Sequence, residues 1–196
     1  MISVVNYGVG NLKSISKAVE KAGGRVNITL DTSELRESDG IILPGVGAFA
    51  PAIKNLESVK DVIVEADVPV LGICLGMQLM AEISEEGGLH EGLGVVKGRV
   101  VRFPDSVGKI PHMGWNVVEV AKENELLDGF EKDYFYFVHS YYLRTDDEYV
   151  TGKTDYGLTF PSAVQNDNFF GVQFHPEKSG KRGLEIVRNF VRLCRK

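Results

Sequence analysis

The chain has 196 residues, 43% hydrophobic and 25% charged, enough for one domain spanning residues 1–196 to bury an adequate core without staples. With 22 Gly and 7 Pro it is neither low-complexity nor fibrous. A net charge of −5 with no Lys/Arg run leaves nothing to neutralise a phosphate backbone, which argues against a nucleic-acid partner and for a small ligand.

Residues 2–6 are an apolar run that predicts a strand, entered directly from Met1 without a basic leader or cleavage site. No uninterrupted apolar run approaches the ~20 residues of a membrane span, so a cytoplasmic protein without membrane contact is expected. Leu12, Ile15, Val19 and Ala22 then recur at helical spacing until Gly23-Gly24 stops them. The alternation continues with a strand at 25–29, a strand at 40–43, helices at 48–56 and 59–65, a strand at 68–73 and a helix at 76–84. Near-continuous apolar strands separated by helices indicate a parallel sheet covered on both faces. From about Gly87 the pattern turns to short strands at 95–103, 117–120, 134–142, 149–154, 162–165 and 169–174, expected as antiparallel additions and the sheet's remaining edge. A last helix, 183–194, carries Leu184, Val187, Val191 and Cys194 on one stripe, so Cys194 is read as core.

Cys74 and Cys194 are the two cysteines, far apart and outside any CxxC, which excludes a disulfide framework or a zinc ribbon. Gly72-Ile73-Cys74-Leu75-Gly76 lies where an apolar strand meets a helix, and this G-x-nucleophile-x-G spacing sets a reactive side chain on a tight turn. The plain alternative is a buried cysteine at a Gly-rich strand end. A nucleophilic thiol needs a base and a group to orient it. His175-Pro176-Glu177 follows an apolar strand and would deliver an imidazole and a carboxylate at the same sheet end as Cys74, although alone it also fits a solvated loop. Pro44-Gly45-Val46-Gly47, after the 40–43 strand, can turn backbone N–H groups toward a developing oxyanion. Gly45 to Ala50 also fits G-x-G-x-x-A, but after the third strand rather than the first, and at the first turn Lys13 replaces the third glycine, so dinucleotide binding is disfavoured. No His-x-x-x-His or Pro-Cys-x-x-Cys is present, and neither a metal nor a cofactor is expected.

Pro-Gly-Val-Gly, the Gly72–Gln78 elbow and Phe174-His175-Pro176-Glu177 together resemble the class I, triad-type glutamine amidotransferases over nearly the whole chain. Asn6 to Asn11, Pro111-His112-Met113-Gly114-Trp115-Asn116, Phe137 to Tyr141 and His175 to Ser179 are similar, within that superfamily, to the glutaminase subunits of imidazole glycerol phosphate synthases. Asn6 departs from the acidic residue many members carry, at a position without a catalytic role. The resemblance implies a flavodoxin-like α/β sandwich, with a mostly parallel central sheet, helices on both faces and antiparallel additions. It implies that Cys74 attacks the side-chain amide of L-glutamine to form a glutamyl thioester, that His175 moves the protons, and that Glu177 orients His175. The Val46 and Leu75 amides would form the oxyanion hole, while Gly47, Gln78, Ser140 and Tyr141 would hold glutamine. Trp115, Tyr136 and Lys178 match interface positions for a (β/α)8-barrel cyclase, which would use the ammonia to make imidazole glycerol phosphate and aminoimidazole carboxamide ribotide in histidine biosynthesis. The alternatives are the same chemistry serving another synthase, such as one aminating a surface-sugar precursor, a stand-alone cysteine hydrolase, or a silent binding module; the last would have lost a triad member, and all three are present.

Overall fold

The computed structural model describes residues 1–8 and 10–195. In chain order the elements are β1 (Ile2–Val5), α1 (Leu12–Lys21), β2 (Val26–Thr29), α2 (Thr32–Arg36), β3 (Gly40–Leu43), α3 (Phe49–Leu56), α4 (Lys60–Val64), β4 (Val70–Ile73), α5 (Leu75–Leu79) and β5 (Ala81–Ser84). There follow β6 (His90–Glu91), β7 (Val96–Arg102), β8 (His112–Val120), β9 (Lys132–His139), β10 (Tyr141–Arg144), β11 (Val150–Asp155), β12 (Thr159–Asn166), β13 (Phe169–Val172) and α6 (Gly180–Leu193). No helix is long and apolar enough to cross a membrane among the described residues.

A nine-stranded sheet runs β2-β1-β3-β4-β13-β12-β11-β8-β9. Its first five strands are parallel and the rest are added antiparallel, as the change of sequence texture near Gly87 implies. β1, β3, β4 and β13 are buried throughout, because helices cover both faces. On one face Ile2, Val4, Ile42, Leu71, Ile73 and Val172 pack with Ile15 and Val19 of α1 and with Ile186, Val187 and Phe190 of α6. On the other, Val5, Ile41, Leu43 and Val70 meet Leu35, Phe49, Leu56, Ile63, Leu75 and Met77 of α2 to α5. The period-two split of β1, Ile2 and Val4 one way and Val5 the other, is what a strand between two cores requires.

Several sequence expectations are corrected. The helix expected over 76–84 ends at Leu79; Ala81–Ser84 turns into β5 and pairs with β7 in a second sheet of order β10-β7-β5-β6, where the ladder supplies the backbone partners a longer helix would have supplied. The 134–142 run is two strands, β9 in the large sheet and β10 in the small one, and Ser140 is the residue between them. β8 starts at His112, well before the expected 117, so Trp115 stands in the strand rather than ahead of it. The unexpected α2 is capped by Asp31, whose side chain accepts from the Ser33 and Glu34 amides. α6 begins at Gly180, three residues earlier than expected, directly after a 3₁₀ turn at Pro176–Lys178. Cys194 is half-buried with its sulfur packed against Gly40, and burial pushes its thiol up to about 12, so it is packing and not chemistry.

The elbow depends on close backbone approach. A Cβ on Gly76 would run into the Leu43 carbonyl of β3, and one on Gly72 would lie 2.6 Å from the Gly76 carbonyl. Gly76→Ala is therefore expected to destabilise the chain by about 1–3 kcal/mol, the usual range for overpacking, read as a lowered midpoint in urea unfolding. An unchanged midpoint would show that the β3–α5 approach does not constrain the elbow.

Candidate active site

Because β1, β3, β4 and β13 are parallel neighbours, the segments leaving their carboxyl ends gather at one edge of the sheet. β4 and β13 pair with Ile73 opposite Val172, so the next residues, Cys74 and Gln173, emerge side by side. Cys74 takes φ 52°, ψ −103°, a left-handed conformation rare outside glycine, and its N–H donates to the Val172 carbonyl at 2.7 Å. Its sulfur lies 3.5 Å from Gln173 Nε2 and 4.0 Å from the Val138 carbonyl.

Two residues further on, His175 is fully buried and anchored by its N–H to the Tyr136 carbonyl at 2.9 Å. Ser179 locks the turn: its hydroxyl donates to the His175 carbonyl at 2.6 Å and accepts from the Tyr136 N–H at 2.9 Å. His175 Nδ1 donates to Glu177 Oε1 at 2.8 Å, and neither side chain has any solvent exposure. Asn11 Nδ2 donates to the same oxygen, bringing the β1–α1 loop against the pair. With Nδ1 committed to a carboxylate, Nε2 is left without a hydrogen-bond partner and free to face the neighbouring thiol. Burial alone would depress the imidazole pKa; the adjacent thiol and the Glu177 carboxylate outweigh it and raise His175 to about 9.

The edge opens into a cavity of about 350 Å³ lined by Val46, Gly47, Cys74, Leu75, Gln78, Ser140 and Tyr141, the residues expected from the sequence, and also by Glu86, Pro111, Val138 and His139. A larger concavity of about 590 Å³, between residues 123–130 and α6, contains neither a thiol nor a histidine, so volume alone does not mark the site. Gln78 spends both amide hydrogens inside the protein, on the Tyr141 carbonyl at 2.9 Å and Gln173 Oε1 at 3.1 Å, which leaves its own oxygen as the group it can offer. The Pro44–Gly47 loop is held by Tyr7, whose hydroxyl donates to the Pro44 carbonyl, and Gly47 takes φ 145°, open only to glycine. Burial raises the Glu86 pKa; its carboxylate accepts the Phe49 N–H at 3.1 Å. The sequence pattern assigns no role to Tyr7, Asn11, Glu86 or Gln173. A signal existed for Gln173, a polar residue at the end of an apolar strand directly before Phe174-His175.

Trp115, Tyr136 and Lys178 come together on the outer face of β8 and β9. Trp115 stands opposite Tyr136, their rings edge-to-face at 6.2 Å, and Lys178 Nζ lies 6.0 Å from the Tyr136 ring centre. Trp115 is 56% exposed, with Met113 and Tyr134 on the same face equally open. Among the described residues no group of three His, Cys, Asp or Glu side chains is arranged to hold a metal ion.

Residues 3–194 match the family model for glutamine amidotransferase class-I. Imidazole glycerol phosphate synthase subunit HisH of Archaeoglobus fulgidus is 57% identical, with both chains covered completely. The protein of the same name from Methanocaldococcus jannaschii is 52% identical over 98% of this chain and all of its own. Among solved structures, a glutamine amidotransferase superposes with a TM-score of 0.79 at 18% identity, covering 100% of this chain and 99% of its own. PurLQS from Thermotoga maritima gives 0.76 at 19% identity, covering 100% and 98%, which supports the fold alone. The match to the family model and the full-length identity to these relatives show that the chain belongs to the class I glutamine amidotransferase family, in its branch of imidazole glycerol phosphate synthase HisH subunits.

Proposed function

We propose that the chain is the glutaminase subunit of an imidazole glycerol phosphate synthase, and that Cys74, His175 and Glu177 hydrolyse L-glutamine to glutamate and ammonia. The observation that carries this is the buried Nδ1–carboxylate bond of His175, which leaves Nε2 bare beside a thiol set on a strained elbow. Nε2 takes the thiol proton, and the raised imidazole pKa favours that transfer. The sulfur attacks the side-chain carbonyl carbon, and the resulting oxyanion is met by backbone N–H groups of Val46 and Leu75 at the cavity wall. On collapse the C–N bond breaks, the imidazolium gives its proton to the nitrogen, ammonia leaves, and a glutamyl thioester remains. Water then loses a proton to His175, attacks the thioester carbon, and the C–S bond breaks to release glutamate and restore the thiol. Glutamine is a zwitterion, so its site needs an anion for the α-ammonium; Glu86 is the carboxylate lining the cavity, with Gly47, Gln78, Ser140 and Tyr141 as neutral contacts.

An exposed aromatic pair with a lysine beside it has the composition of an interface anchor, and Tyr136 connects it to the triad because its carbonyl accepts the His175 N–H. We infer a heterodimer, working in the cytoplasm, in which this face docks on a (β/α)8-barrel cyclase and the ammonia passes to it through a shielded path. Full-length identity above 50% to HisH relatives supports this synthase over one serving another pathway.

An electrophilic glutamine analogue should label Cys74 and spare Cys194, and Cys74→Ala should have no measurable glutaminase activity; label on Cys194, or activity in the variant, overturns the nucleophile assignment. Glu177→Gln retains the shape that receives His175 but removes the charge, so kcat should fall roughly 10²- to 10⁴-fold with KM little changed. Wild-type turnover in that variant would reduce the triad to a dyad. Glutaminase activity should be low for the chain alone and rise strongly with cyclase and its nucleotide, while Trp115→Ala should weaken association roughly 30-fold, the scale of an aromatic hot spot, with Cys74 still labelled by the analogue. Titration calorimetry showing unchanged affinity would remove Trp115 from the interface.

A further inference from the structure

Two buried histidines have no part in the mechanism above. His112 and His139 face each other across β8 and β9, 2% and 6% exposed. They sit among the rings of Phe103, Phe137, Tyr156 and Phe160. His139 Nδ1 lies 2.8 Å from the Tyr141 carbonyl, and His139 Nε2 lies 2.9 Å from His112 Nδ1. His112 Nε2 lies 3.2 Å from Asn116 Nδ2, which also reaches the Asp155 carbonyl at 2.8 Å, while Asn116 Oδ1 accepts the Val117 N–H at 2.7 Å.

Every proton in this chain is determined by its ends. A backbone carbonyl only accepts, so His139 must carry its hydrogen on Nδ1 and present a bare Nε2. His112 must then donate from Nδ1 and accept at Nε2. Asn116 can supply that donor because the Val117 N–H and the Asp155 carbonyl fix which end of its amide is oxygen and which is nitrogen. A proton added to His139 would set two N–H groups against each other, so the chain closes only when both rings are neutral. Burial, first of all, holds both in that form, with pKa values lowered to about 4 for His112 and about 3 for His139. The carbonyl at the inner end is the one that also receives Gln78, and Ser140 and Tyr141 beside it line the cavity.

We propose that the His112–His139 pair is a positioning device for the glutamine site: a one-way chain of neutral hydrogen bonds, pinned to backbone at both ends, that fixes the Tyr141 carbonyl and through it the Gln78 side chain. The proposal rests on the glutaminase reading and names residues outside the triad. A pair serving only as filling would be replaced without loss by an aromatic ring of similar size, since the surround is already aromatic. The triad is held by the β4–β13 pairing, by Glu177 and by the Tyr136 backbone rather than by either imidazole, so the defect should fall on glutamine binding and spare the thiol.

The first test needs no variant. Nitrogen NMR of the imidazoles in the intact chain at pH 7 should show His112 and His139 both neutral and both protonated at Nδ1, the minority form for histidine free in water; an Nε2–H form or an imidazolium at either position overturns the proposal. The second is kinetic, with the synthase partner present. His139→Phe should raise KM for glutamine about tenfold or more, with kcat changed less and with alkylation of Cys74 by iodoacetamide, which needs no glutamine site, within about twofold of wild type. His139→Asn, which returns a donor near the Nδ1 position, should recover most of the lost KM. An active wild type alongside a His139→Phe variant of unchanged KM, or an Asn variant no better than Phe, overturns the positioning role. A wild-type chain that turns over no glutamine instead overturns the glutaminase reading and takes this proposal with it.

Discussion

The parallel pairing of β4 with β13 is the constraint from which the site follows. Cys74 and His175 are about half the chain apart in sequence, and neither loop alone could bring them within reach of each other. The register that sets Ile73 against Val172 does so with backbone hydrogen bonds, and the Cys74 N–H to Val172 carbonyl bond extends the ladder one residue past the strand. Both strands are buried on both faces, so a slip in that register would expose apolar side chains and orphan buried amides at once. Core packing and the approach of Cys74 to the segment carrying His175 are therefore enforced by the same bonds.

That constraint also explains how a strained residue persists. A cysteine at φ 52° costs on the order of 1–3 kcal/mol relative to a relaxed conformation, and such strain survives only where the surroundings over-determine it. Here Gly72 and Gly76 let strand, elbow and helix approach more closely than any side chain would permit. The sharp turn exposes the sulfur to the cavity while the backbone on either side stays in the core. The site is precise because it stands on the ends of central strands, with Tyr7 and Ser179 bracing the two flanking loops.

Much of this was legible in the sequence, for identifiable reasons. The parallel half could be read because its strands are short, fully apolar and punctuated by glycine, and the elbow and His-Pro-Glu because their spacing carries chemistry. The small sheet could not. Residues 81–84 read as a continuation of helix by composition alone, and only the long-range pairing with β7 makes them a strand. The break at Ser140 is likewise invisible in the run from Tyr134 to Tyr142, since what separates β9 from β10 is a change of sheet. The contacts of Tyr7, Asn11 and Glu86 are not legible because each acts through a partner distant in sequence: the Pro44 carbonyl, Glu177 and the Phe49 amide. The positions named by family resemblance line the cavity or stand on the outer strand face; their contacts are not part of that resemblance.

The histidines show why residue type and burial do not by themselves assign a role. His112, His139 and His175 are all buried, and desolvation pushes each of them toward the neutral form. What separates them is the acceptor opposite Nδ1 or the ring beside it. His175 meets the Cys74 sulfur and a carboxylate that itself has no solvent exposure, so a positive ring is stabilised where water cannot reach, and its pKa ends above the ordinary value. His139 meets a neutral carbonyl and a second imidazole, which offer a proton no compensating charge, and its pKa ends well below. A sulfur and a buried carboxylate thus favour the charged form of the histidine they touch, and the absence of such neighbours one strand away leaves two histidines uncharged. Positive charge on His175 and on His112 adds to burial in disfavouring protonation of His139, so a charged His175 is compatible with a neutral ring against the Tyr141 carbonyl.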